Sequence, residues 1–82
     1  MSNKILTIEF TYLGDNTKIC AEGDPLLAYK LKGKLFRNYN KDSIILSKEE
    51  SDKIYKDCIS EGFKKTKRNH RTDMFYYIEE SK

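Results

Sequence analysis

The chain has 82 residues, room for one domain over 1–82 and not for a second. A chain of this length buries only about 60–65% of the surface its unfolded form exposes, which excludes a large enclosed active-site cavity. Sixteen Lys and Arg against thirteen Asp and Glu give a net charge of +3, and a 38% apolar fraction with four Phe and six Tyr excludes disorder.

The longest apolar run, Met74 to Ile78, is far short of the ~20 residues of a spanning helix. Thr7 and Glu9 interrupt the apolar N-terminal stretch, so no signal-peptide core forms. A cytoplasmic protein with no membrane partner is expected, and Cys20 and Cys58 are read as free thiols. Two cysteines and the single His70 do not complete a four-ligand zinc site, so no metal and no cofactor are expected.

From the N-terminus, Leu6, Ile8, Phe10 and Tyr12 alternate with Thr7, Glu9 and Thr11, the period of a half-buried strand. Gly14-Asp15-Asn16 is a turn cluster, and Thr17 to Glu22 returns as a second strand with Ile19 and Ala21 inward and Cys20 on the opposite face. Gly23-Asp24-Pro25 ends this hairpin. Leu26 to Arg37 fits two readings. As a helix it would have Asp24 as N-cap and Pro25 at the first helical position. As a strand it puts Lys30, Lys32 and Lys34 on one side, and the mid-segment Gly33 weighs against the helix, so strand is the favoured reading. Asn38 to Asp42 reads as a loop, and Ser43 to Leu46 as a brief strand or the approach to a helix.

Ser47 and Glu50 have capping-box spacing, and Glu49, Glu50 and Asp52 favour the start of a helix dipole. Ile54, Tyr55, Cys58 and Ile59 then form an apolar stripe, and Gly62 supplies a C-terminal stop with Phe63 folding back. This predicts a helix from about 48 to 61. Lys64 to Thr72 reads as a basic connection. Asp73 to Glu80 reads as a closing strand, apolar on both faces, with Met74, Tyr76 and Ile78 on one and Phe75 and Tyr77 on the other. The expected fold is α+β: a small antiparallel sheet of 3–5 strands, order β-β-(β)-(β)-α-β, with one helix on one face.

The segment 64–71 carries Lys64, Lys65, Lys67, Arg68 and Arg71 with no acid among them. Such a cluster can displace counterions from a phosphate backbone. Arg68 and Arg71 suit bidentate phosphate contacts, Asn69 suits a base edge or sugar, His70 is a polar contact residue, and Tyr76 or Tyr77 could stack on an unpaired base. The row Lys30, Lys32 and Lys34 would extend the same surface if the two sets share a face. His70 is the sole candidate for acid–base chemistry and has no partner motif, so no catalytic residue is assigned. The expectation is a non-enzymatic regulatory domain that contacts nucleic acid or a nucleoprotein complex through a basic loop. The alternative is a protein-binding module or inhibitor of host machinery, encoded by a virus or mobile element. It would act through strand edges and a Tyr39, Phe75 and Tyr77 surface. The bias toward Lys, Asn, Ile and Tyr, typical of AT-rich genomes, keeps that alternative open.

Overall fold

The computed structural model describes residues 4–35 and 43–79; the Asn38–Asp42 loop, Arg37 and Tyr39 lie outside them. Two strands open the chain, β1 (Lys4–Leu13) and β2 (Asn16–Gly23), paired antiparallel from Leu6↔Gly23 to Leu13↔Asn16. The two-residue loop between them begins at Gly14 with φ +80°, a conformation glycine adopts without steric cost. Gly23 closes the hairpin at φ +146°, where any Cβ would collide with the Ile5 carbonyl.

The next element overturns the strand reading of Leu26 to Arg37. It is a helix, α1 (Pro25–Leu35). Asp24 Oδ1 accepts from the amides of Leu26 and Leu27 at 3.0 Å each, and Pro25 occupies the first helical position, where a missing N–H is harmless. Leu27 and Leu31, one turn apart, are both buried. The alternation of lysine with apolar residues satisfied either period; the cap and the one-turn leucine spacing decide for the helix despite Gly33.

Of the two readings of 43–46 the strand holds, as β3 (Ser43–Ser47), and α2 (Lys48–Ser60) is the expected helix. The Ser47 hydroxyl accepts from the Glu50 amide at 3.3 Å and donates to the Glu50 carboxylate at 3.2 Å. At the other end Phe63 N–H donates to the Cys58 carbonyl and Gly62 N–H to that of Ile59, a Schellman stop with Gly62 at φ +93°. The basic connection is also a correction: it is a strand, β4 (Lys64–Asn69), paired with β5 (Thr72–Glu79). A rim strand bathed in solvent needs no apolar alternation, so its pattern was silent.

The element order among the described residues is thus β-β-α-β-α-β-β, with two helices there where one was expected. The five strands lie in the order β3-β2-β1-β5-β4, every neighbouring pair antiparallel. β5, apolar on both faces, runs inside the sheet between β1 and β4. One sheet face meets the helices: Leu6, Ile8, Phe10, Ile19 and Phe75 cluster with Leu27 and Leu31 of α1 and Ile54 and Cys58 of α2. Phe10, Tyr55 and Phe75 pack edge to face, their centroids 4.9–5.7 Å apart. Each such contact adds roughly 0.5–1.5 kcal/mol beyond area burial. Thr17 and Ser51 are buried between β2 and α2, their hydroxyls 3.2 Å apart. The opposite sheet face carries no helix among the described residues. No helix among them is long and apolar enough to cross a membrane.

Candidate nucleic-acid interface

The basic segment forms one rim of the sheet and the turn beyond it. Asn69 pairs with Thr72 around His70 and Arg71, with a register shift between Lys67 and Asn69. Three bonds fix this turn. Asn69 Oδ1 accepts from the Arg71 amide at 2.8 Å, the Arg71 carbonyl accepts from Tyr12 N–H at 2.9 Å, and the Tyr12 hydroxyl donates to Asp73 at 2.7 Å. Desolvation first, then the hydrogen bond to Asp73, holds the Tyr12 phenol above its ordinary range and keeps it protonated.

Strand alternation divides the lysines. Lys64 and Thr66 lie opposite Tyr76 and Met74 in the β4–β5 register, on the face without helices. Lys65 and Lys67 lie opposite Phe75 and Asp73, toward the helix side. Lys65 is partly engaged there: its ammonium sits 5.2 Å from the Tyr55 ring centroid and 3.9 Å from Asp73. A hydrogen bond with Tyr55 is the main cause of its raised pKa; desolvation opposes the rise and the Asp73 charge adds to it. Lys64, Lys67, Asn69, His70 and Arg71 are exposed, and the strand rim gives ligand access to the lysines of both faces. Arg68 belongs to the same strand; its side chain is outside the described ones.

Of the second basic set, only Lys30 has a described side chain. In a helix, positions 30, 32 and 34 do not form one row, since successive residues turn by about 100°. Lys30 Nζ contacts Glu79 at 3.5 Å, at the end of β5 remote from the 69–72 turn. Glu79 is seven strand steps from Thr72, roughly 23 Å at about 3.3 Å per step, and three steps, roughly 10 Å, from Tyr76, the partner of Lys64. The side chains of Lys32 and Lys34 lie outside those described.

Of the aromatic residues read as a protein-binding surface, Phe75 is 0% exposed and belongs to the core, a correction that follows from its place opposite Ile8 on the helix-covered face. Tyr77 is half-buried against Phe63, ring centroids 5.3 Å apart, and Tyr39 lies outside the described residues. Two exposed groups were not singled out from sequence: Leu26 at 69% and Tyr29 at 87%, on α1. They fell within a segment read as a strand. A helical wheel of 25–35 places them nearly one turn apart and away from Leu27 and Leu31. The juxtaposition of Lys64 with Tyr76 was hidden likewise, because it exists only once 64–69 is a strand.

The chain matches no protein-family model, and no curated protein or solved structure is significantly similar to it.

Proposed function

We propose that this domain is a non-enzymatic regulatory module that binds single-stranded nucleic acid along the β4 rim and the adjoining part of the open sheet face. One observation carries the reading: exposed Lys64, Lys67 and Arg71 follow an edge strand and its turn, and Tyr76 lies directly across from Lys64. The cations suit a phosphate backbone running along the rim. Tyr76 is half-exposed on the sheet face that carries no helix among the described residues, where an unpaired base can stack and a duplex base cannot. His70, exposed on the turn, has a contact role in this reading.

Fluorescence anisotropy with labelled single-stranded and duplex oligonucleotides tests it. Tyr76→Leu keeps apolar bulk but removes the stacking ring, and is expected to weaken single-strand binding by about 1–3 kcal/mol, roughly 5- to 150-fold. Lys64→Ala/Lys67→Ala/Arg71→Ala should weaken both ligands. Equal affinity of the wild type and both variants would remove the proposal.

A protein target is the second reading, and the exposure of Tyr29 beside Leu26 favours it. It predicts a stoichiometric complex that survives nuclease treatment and is lost with Tyr29→Ala.

A further inference from the structure

The two rims of the sheet differ. β4 carries Lys64, Lys65, Lys67 and Arg68 and a register irregularity, the usual devices that keep an edge from pairing with another chain. β3 at the other rim is Ser43-Ile44-Ile45-Leu46-Ser47, with no charge, no proline and an unbroken register against β2. Ile45 is 62% exposed on the face away from the helices, whereas Ile44 and Leu46 are buried on the other.

We propose that β3 is a homodimer edge: a second copy pairs with it antiparallel about a twofold axis through Ile45, joining two five-stranded sheets into one. Three features select a second copy as the occupant. The first is self-complementarity. With Ile45 opposite Ile45 of the second copy, each Ser43 meets a Ser47 and each Ile44 meets a Leu46. Serines, core-facing apolar residues and open-face isoleucines all match, as an isologous interface requires. The second is hydrogen-bond phase. A two-residue loop makes Leu13↔Asn16 a hydrogen-bonded pair, so the Asn16 backbone groups point to β1 and those of Thr17 point to β3. Thr17↔Leu46 and Ile19↔Ile44 therefore bond β2 to β3, and the N–H and C=O of Ser43 and Ile45 point away from the sheet. The twofold axis falls on a residue whose donor and acceptor both face outward. The third is charge. β3 puts no like charges together when paired with itself, whereas β4 paired with itself would bring lysines face to face. The dimer leaves both β4 rims free at its outer ends.

Sedimentation equilibrium of the full chain at 10–200 µM tests the proposal. A mass of twice 9.7 kDa is expected, returning to 9.7 kDa in Ile45→Lys, which sets two ammonium groups against each other. Ile78→Lys, on the same sheet face but on an interior strand and 46% exposed in the wild type, should stay dimeric. Hydrogen exchange of the wild type reads the same edge without a variant. The Ile45 amide should gain at least tenfold protection as the mass doubles, while the Ile44 and Leu46 amides are already protected by β2. A monomer throughout the range overturns the proposal, as does a dimer that persists in Ile45→Lys. So does a mass that grows beyond two, the signature of β3-to-β4 head-to-tail pairing. An Ile45 amide that stays unprotected in the dimer overturns it too.

Discussion

At the scale of single residues, the firmest constraint is Gly23. Its φ of +146° and the Ile5 carbonyl and Leu6 Cα packed against it leave no room for a side chain. Gly23→Ala should cost at least about 2 kcal/mol in urea-monitored unfolding, from strain and collision together. Gly14 also has positive φ, but nothing lies within 4 Å of its missing Cβ. Gly14→Asn, suited to left-handed backbone, should therefore cost less than about 1 kcal/mol. The two thiols separate in the same way. Burial, with a smaller contribution from Asp57, pushes Cys58 up from 9.0 to about 12. Below pH 9 the thiol is protonated both folded and unfolded, and stability is unaffected. Between 9 and 12 the unfolded chain loses this proton first, so stability falls as pH rises. Tyr12 adds to the decline above pH ~10, its ordinary value, in the same direction. Urea midpoints taken from pH 8 to 11 should fall, and fall less in Cys58→Ala and in Tyr12→Phe. At pH 8, a thiol reagent should modify half-exposed Cys20 in the folded protein and Cys58 only after unfolding.

At the scale of elements, what could be read from the chain depended on how local the signal was. The first hairpin was legible because its strands alternate and its turn residues sit between them. The helix near 48–61 was legible because its capping box and glycine stop both lie at its own ends. α1 was not, because period two and period 3.6 both fit its lysine and leucine positions. The deciding contacts are the Asp24 cap and the burial of Leu27 and Leu31. Asp24→Ala should lower stability by about 1 kcal/mol, measured by thermal or urea unfolding, through loss of the cap. β4 was illegible for the opposite reason: a charged rim strand has no buried face to impose a pattern, and only β5 beside it defines its register. The site inherits that history. Its charged residues were visible as a cluster, while the strand geometry that sets Lys64 beside Tyr76, and the turn bonds of Asn69 and Tyr12, arise from partners distant in sequence.

At the scale of the whole molecule, the mild +3 divides unevenly: 1–41 carries the net +3, and 42–82 is neutral. That neutrality joins an acidic helix start at Glu49, Glu50 and Asp52 to a rim rich in lysine and arginine. Lys30 is engaged by Glu79 on β5 rather than placed along β4, and this exposed pair is worth under about 1 kcal/mol. Lys30→Ala should accordingly leave nucleic-acid affinity within roughly twofold of wild type by anisotropy. The β4 rim is the binding surface proposed here, and the salt dependence of binding is the most direct test. A labelled single-stranded oligonucleotide titrated from 25 to 200 mM salt should give a slope of log affinity against log salt near −2. That corresponds to about three phosphates met by Lys64, Lys67 and Arg71 at roughly 0.7 counterions each. The slope should become markedly shallower when these three are alanine. No binding at 25 mM salt, or a wild-type slope that the three substitutions leave unchanged, would contradict the account.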